Sequence, residues 1–425
     1  MVAAGPHVLL ISIDTLRAGN LSSYGYERNT SPHLDALFAS GARFTNARTV
    51  EPLTGPALAS MLTALEPHEH GATRNGLRMR KNLFSFSKSL GRRGYETAAF
   101  VGNWTLRDPL SGMGEHFELY EVLLTRKRWF GFLKSEATAD DLNAAALDWL
   151  EEHLETSDKP FLLWVHTVEP HAPYQLKGDF LGQIGVKRSG TFLSARNRYD
   201  SEVAFADDRA GQLLEWVYDR VPPEDVLVVF LSDHGESLGE HGYWGHGRHL
   251  YENSLRIPLG LSWPGKIEPR VIDADASILD LPRTLLSLVG EPSPEFLGGY
   301  DWAPVLLGKE TPSPGRVTYY QAHRASVEPQ EEQTRLREKG LLAVARIEDG
   351  RKEIYRIGKN RRVVYDLASD PAEKRPVEEA NAQPSEGLRG WLARVIEGLA
   401  VADELPPPNL TDEDLEALRA LGYID

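Results

Sequence analysis

The sequence predicts an α/β protein: a buried parallel sheet first, then a smaller antiparallel one. Three observations predict it. The runs HVLLISI (7–13), FLLWV (161–165) and VLVVFL (226–231) are apolar throughout, as strands are when helices cover both faces of a parallel sheet. Helical patterns lie between them, among them an amphipathic stretch from Ala137 to Glu155 and another from Tyr199 to Val217. After Gly298-Gly299 the character shifts: Pro304, Pro312 and Pro314 mark a linker, and three short strand-like segments follow, separated by Asp-Gly and Gly-Lys-Asn turn signals.

The 425 residues are long for one domain. A large domain over 1–305, a smaller one over 306–400 and a Pro-rich linker with a terminal helix over 401–425 are expected. The net charge of −15 argues against nucleic acid as a partner. It leaves room for an anionic substrate, because a bound metal reverses the local sign. With no cysteine there is no disulfide, thiolate zinc site or cysteine nucleophile. No apolar stretch approaches a membrane span, so the chain reads as soluble. The start, MVAAGPHVLLISID, is too short before its first strand to be a signal peptide. The compartment stays open, an extracytoplasmic one fitting if a leader has been trimmed, and so does assembly as a homo-oligomer.

In chain order, His7 to Ile13 is a strand ending at Asp14. Pro32 to Ser40 is a short helix with Ser31 as its N-cap and Gly41 as its stop. Pro56 suits the first position of a helix that Ala57 to Leu65 continues. Thr54 then lies just ahead of a helix N-terminus, whose free N–H groups and partial positive charge suit a phosphate or sulfate. Taken alone, Thr54 reads as an N-cap. Leu83 to Arg92 is helical, and the strand TAAFVG leads to Asn103-Trp104-Thr105. FLLWV ends in His166, with His171 five residues on. VLVVFL ends in Ser232-Asp233-His234-Gly235-Glu236, and His241, His246 and His249 follow. Asp280 to Val289 is a helix. The antiparallel strands are Leu341 to Arg346, Glu353 to Ile357 and Arg362 to Leu367, with a helix from Gly387 to Leu399 packed on them. A last helix runs from Thr411, paired with Asp414 in a capping box, to Leu421.

Open α/β sheets hold ligands just beyond the carboxyl ends of their strands. Asp14, Thr54, Asn103, His166, His171, Asp233, His234 and His246 are therefore candidates for one site. Two carboxylates, an imidazole and a hydroxyl suit a divalent ion such as Zn²⁺, Mn²⁺ or Mg²⁺. A metal can lower the pKa of bound water from about 16 to about 7, and would likewise make Thr54 a usable alkoxide. His241 and His249 either hold a second metal or line the entrance; His70 braces the Thr54 helix; His33 and His68 are surface or capping residues.

The segments LLISIDTLRAGNLSSYGY, TxPxxxSxxTxxxPxxHG from Thr54 to Gly71, VHTVEPHAPY, SDHGESLGEHGYWGHG, LYENSLRIPL, VYDLASDPAE and LRALGY together resemble the sulfatase family of the alkaline phosphatase superfamily. The resemblance implies a large mixed, mostly parallel sheet between helix layers, with a smaller C-terminal α+β antiparallel sheet. It implies Asp14, Thr54, Asp233 and His234 as metal ligands. His171 and His246 would hold the substrate's non-bridging oxygens, with Asn103 beside them, and Thr54 stands at the nucleophile position.

The departures are informative. The family's C/S-x-P-x-R motif, whose first residue matures to formylglycine, is here Thr54-Gly55-Pro56-Ala57-Leu58, so no formylglycine is expected. Its G-K-W-H segment is Gly102-Asn103-Trp104-Thr105. His234 stands where many sulfatases have Asn with Ca²⁺, which favours Mn²⁺, Zn²⁺ or Mg²⁺. This pattern resembles the Thr-nucleophile branch. It implies hydrolysis of phosphate mono- or diesters or phosphonate esters, with sulfate esters as a further class, on small-molecule or lipid- or glycan-linked substrates. The alternatives are a phosphoglycerol- or phosphoethanolamine-type transferase and a catalytically degenerate binding protein.

Overall fold

The computed structural model describes residues 5–127, 134–187, 193–312, 315–327, 335–405, 410–412 and 414–416. The first sheet has eight strands: β1 (His7–Ile13), β2 (Ala42–Arg48), β3 (Glu96–Val101), β4 (Leu119–Val122), β5 (Phe161–Thr167), β6 (Val226–Ser232), β7 (Leu259–Ser262) and β8 (Arg270–Ser277). Their order across the sheet is β8-β2-β7-β6-β1-β5-β3-β4. Only β7 runs antiparallel to its neighbours, so the sheet is mixed and mostly parallel, as expected. β1, β5 and β6 are the three apolar runs, and they lie side by side at the centre.

Their two-residue alternation builds two cores, because successive side chains point to opposite faces. Val8, Leu10, Leu162, Trp164, Leu227 and Val229 face one helix layer. Leu9, Ile11, Leu163, Val165, Val228 and Phe230 face the other. The longer helices around this sheet are α1 (Pro32–Ser40), α2 (Thr54–Thr63), α3 (Phe86–Arg92), α4 (Ala139–Thr156), α5 (Ala195–Tyr218) and α6 (Leu281–Leu288). α2 and α6 supply the first core with Leu58, Met61, Leu285 and Leu286, and α1, α4 and α5 pack into the second.

Several local expectations shift. Ser31 precedes α1, but its side chain caps nothing. The Asp207 carboxylate of α5 accepts from the N–H groups of His33 (3.0 Å) and Leu34 (2.8 Å) instead, so a long-range acid does the capping. α2 begins at Thr54, with Leu53 at its N-cap. Pro56 is thus its third residue, still within the first turn where a missing N–H costs nothing. α3 starts at Phe86 because the Ser85 hydroxyl accepts from Lys88 N–H there. β5 continues to Thr167, which puts His166 inside the strand.

The second sheet has five antiparallel strands rather than three: β9 (Thr318–His323), β10 (Leu341–Glu348), β11 (Arg351–Arg356), β12 (Arg361–Asp366) and β13 (Glu378–Ala380). β13 is an exposed polar edge with no apolar pattern to betray it. α7 (Glu386–Ala402) packs Leu388, Trp391 and Val395 against Val344 and Tyr355 of this sheet. The two sheets are tied by a buried ion network. Lys352 Nζ lies 2.9 Å from Glu252 and 2.8 Å from Glu373, and Arg48 joins Glu252 (2.9 Å) to Asp275 (2.6 Å). The capping box of Thr411 and Asp414 is present; the body of that last helix lies outside the described residues. Among the described residues no helix is long and apolar enough to cross a membrane.

Candidate active site

The carboxyl ends of β1, β3, β5 and β6 deliver the predicted polar groups to one place. β6 ends at Ser232, whose hydroxyl accepts from Leu16 N–H (3.0 Å) and donates to the His234 carbonyl (2.6 Å). This pins the turn after β6 to the turn after β1. Gly235 is required next: a Cβ there would sit 2.2 Å from the Asn253 carbonyl oxygen. On the β1 side, Thr15 adopts φ 56°, an unfavourable conformation for a β-branched residue. Its N–H donates to Asp233 Oδ1 (3.2 Å) and its carbonyl accepts from the Tyr199 hydroxyl (2.7 Å).

Asp14, Thr54, Asp233 and His234 are fully buried. His234 Nε2 lies 3.7 Å from Asp14 Oδ1, 3.4 Å from Asp233 Oδ2 and 3.3 Å from Thr54 Oγ1. His234 Nδ1 donates to the Gly235 carbonyl (2.9 Å), which fixes the tautomer and leaves the Nε2 lone pair facing the carboxylates. Asp14 Oδ1 and Asp233 Oδ2 are buried without a hydrogen-bond partner. Buried carboxylate oxygens normally find a donor; two orphans converging on an imidazole lone pair are what a divalent cation would satisfy. Asp14, Asp233 and His234 form a cluster able to hold such an ion, and the residues fit the group.

The electrostatics agree. Burial, reinforced by the neighbouring Asp233 charge, pushes the Asp14 carboxyl well above its usual range. Burial also raises Asp233, to about 7, against the N–H groups of His234 and Thr15. Burial and then His246 hold His234 well below the ordinary imidazole value. Two acids and a neutral imidazole without a counter-cation are a poor arrangement in a dry site.

Around this cluster, His246 lies against the His234 ring (centroids 4.4 Å) and His171 against His246 (5.0 Å). His246 Nδ1 is 3.1 Å from the buried Glu236 carboxylate. Asn103 donates from Nδ2 to Asp14 Oδ2 (2.8 Å), while its Oδ1 accepts from Thr105 N–H and Oγ1. Its visible work is therefore to orient Asp14. His166 Nδ1 pairs with Ser12 Oγ (2.8 Å), and its Nε2 stands 3.9 Å from Asp14 Oδ2. His70 Nδ1 accepts from Ala72 N–H and Nε2 pairs with Ser60 of α2 (3.0 Å), so it does brace the Thr54 helix. His68, expected at the surface, is buried edge-on against Trp391. His241 stacks on Tyr251 (3.6 Å) and His249 meets Tyr243 edge-on (4.6 Å); neither joins a cluster that could hold a second ion among the described residues.

Sequence reading missed Glu236, Asn75 and Glu51. Glu236 stood in the quoted motif, but its partner His246 is ten residues away. Asn75 Oδ1 accepts from Gly55 N–H (3.1 Å), anchoring the first turn of α2. Glu51 accepts from His323 N–H (3.1 Å) and Nδ1 (3.0 Å), both residues being fully buried. Gln321 N–H donates to the Val50 carbonyl (3.1 Å) beside it. β9 of the second sheet thus holds the segment that leads into Thr54.

A family model described as Sulfatase matches residues 6–291, and one described as N-sulphoglucosamine sulphohydrolase, C-terminal, matches residues 239–387. The sequence is similar to arylsulfatase A of Homo sapiens, 28% identical over 369 aligned positions covering 72% of this chain and 69% of that protein. It is also similar to choline-sulfatase of Rhizobium meliloti (strain 1021), 25% identical and covering 88% of this chain and 82% of that one. In fold it resembles the phosphonate monoester hydrolase of Agrobacterium radiobacter, with a TM-score of 0.73 at 19% identity over 96% of this chain and 98% of that chain. With more than half of its length matched by the family model and its strand ends carrying the Asp14, Asp233 and His234 cluster, the chain belongs to the sulfatase family, metal-dependent hydrolases of sulfuric and phosphoric esters.

Proposed function

We propose that this chain hydrolyses phosphate mono- or diesters or phosphonate esters, with Thr54 as the covalent nucleophile. The observation that carries this reading is the placement of Thr54 Oγ1, 3.3 Å from His234 Nε2 at the first residue of α2. Mn²⁺, Zn²⁺ or Mg²⁺ held by Asp14, Asp233, His234 and Thr54 would, when bound, acidify the Thr54 hydroxyl. The ester phosphorus gains a bond to Thr54 Oγ1 and loses its bond to the leaving-group oxygen, which takes up a proton. Water then breaks the phosphothreonine ester and restores the hydroxyl. His171 and His246 hold the non-bridging oxygens, Glu236 fixes the His246 ring, and the second Asn103 amide proton is available to the same anion. The first-turn N–H groups of α2 add their partial positive charge.

The residue at position 54 supports phosphorus over sulfur. Thr54 cannot become formylglycine, whose hydrate expels sulfate by collapsing to an aldehyde; a threonyl ester must instead be attacked at its central atom. Where the family's motif carries Arg, Leu58 is buried in the first core. After incubation with an activated phosphorus ester, peptide mass spectrometry should locate a phosphoryl group on Thr54. Rapid turnover of sulfate esters alone would overturn the reading.

Metal uptake should be steeply pH-dependent. With Asp233 raised to about 7 and Asp14 higher than its usual range, the metal-free site carries protons at and below neutrality that must leave as the ion binds. His234, held low, brings none. Mn²⁺ affinity measured calorimetrically should therefore fall by about tenfold for each pH unit below 7 per proton displaced. A flat profile from pH 6 to 8 would contradict these protonation states.

A further inference from the structure

A cavity opens between the loop that carries His246 and the end of the second sheet. It has a volume of about 400 Å³, and Tyr243, Arg248, His249, Tyr251, Arg356 and Lys359 supply its polar lining. No acidic residue lines it, in a chain whose net charge is −15. No carboxylate lies within ion-pair distance of Arg248, Arg356 or Lys359 among the described residues. Arg356 instead donates to the Tyr251 hydroxyl (2.6 Å), while Arg248 and Lys359 are exposed. In an acidic protein, cations usually find acids; three left together around one concavity form a locally positive basin. The basin is felt by His249: burial, then Arg356, His241, Lys359 and Arg248, bring its pKa down to about 4.

The cavity adjoins the reacting centre along two routes. Tyr243 donates to the His246 carbonyl (2.7 Å), and Arg248 follows His246 by two residues, a reach of about 7 Å. Gly247 between them has φ 90°, and a Cβ there would lie 3.3 Å from the Leu53 side chain, next to Thr54. The second route is the sheet. Arg356 lies opposite Ala343, and Leu341 pairs with His323, the residue bonded to Glu51. The same end of the sheet therefore touches both the nucleophile segment and the basin.

Building on the proposed ester hydrolysis, we propose that this basin receives a second anionic group, a phosphate, sulfate or carboxylate carried on the leaving-group side of the substrate. The preferred substrates are then bis-anionic esters, such as a sugar with one reacting and one non-reacting phosphate. Arg356 offers a bidentate fork and Arg248 and Lys359 are mobile charges at the rim.

Calorimetric titration of the Thr54→Ala protein, in which Asp14, Asp233 and His234 remain to hold Mn²⁺ and elemental analysis confirms the ion is bound, with glucose 1-phosphate and glucose 1,6-bisphosphate tests this. The bisphosphate should bind about tenfold tighter. Adding R248Q, R356Q and K359Q should erase that advantage and leave glucose 1-phosphate affinity unchanged. The R248Q/K359Q pair, on exposed side chains alone, should erase part of it and guards against a folding defect from Arg356. Equal affinities, or an advantage that survives the triple substitution, would overturn the basin. Bisphosphate binding that needs the three cations while glucose 1-phosphate fails to bind would keep the basin and sink the phosphate-ester reading. Binding of neither would overturn both.

Discussion

Thr54→Ala will lower turnover of a phosphorus ester by about 10⁴-fold or more, with denaturation behaviour close to that of the parent protein. The size follows from the loss of a covalent route, an effect that single nucleophile deletions commonly show. The fold should tolerate the change, because Thr54 Oγ1 makes its hydrogen-bond approach to His234 and caps nothing in α2. Thr54→Ser keeps a hydroxyl at the same atom and should retain most of the rate. The comparison needs steady-state kinetics on nitrophenyl phosphate, a phosphodiester, a phosphonate monoester and a nitrophenyl sulfate. Undiminished hydrolysis by the alanine protein would remove Thr54 from the chemistry and leave a directly attacking water in its place.

Lys352→Ala will destabilise the protein by about 3–5 kcal/mol, the usual cost of stranding buried partners of a removed charge. Lys352 has no exposed surface and sits between Glu252 and Glu373. Burial opposes ionisation of Glu252, yet Arg48 and Lys352 hold its carboxyl down to about 2. For Glu373, burial outweighs Lys352 and the carboxyl stays above its usual value. Without the ammonium, Glu252 keeps only Arg48, and Glu373 must take up a proton. Chemical denaturation monitored by tryptophan fluorescence would read the loss. A change below about 1 kcal/mol would mean that water reaches the network and screens it. Lys352→Met, similar in length but uncharged, should be as damaging as alanine if charge rather than packing is what matters.

What could be read from sequence alone was whatever the chain encodes locally. β1, β5 and β6 announced themselves because a strand buried on both faces must be apolar at every position. The acids and histidines that close those runs marked the site for the same reason: polar residues abutting such strands have to lie at the sheet edge. The Thr411 and Asp414 box was visible because capping is a four-residue affair. Features that depend on distant partners were hidden. Asp207 caps α1 from 174 residues beyond His33, so Ser31 took the assignment that belonged to it. β13 is polar because it is an exposed edge, and α7 comes back to lay Trp391 over the buried His68. That the Asn103 amide also holds Asp14 was hidden for the same reason, since the two residues are 89 positions apart.

The contact of β9 with the segment before Thr54 bears on how such proteins can be recombined. Exchanging the C-terminal sheet for that of a relative is an obvious way to alter which leaving groups are accepted, since the basin around Arg356 is built partly from that sheet. The seam of such a chimera is not the proline-rich linker. It also runs through Glu51 and His323, which meet without any access to water. A graft that imports a foreign strand without an imidazole at position 323 would leave the buried Glu51 with a backbone N–H but no side-chain donor from that strand, three residues from the nucleophile. Viable chimeras should therefore carry positions 51 and 323 together, as one inherited unit.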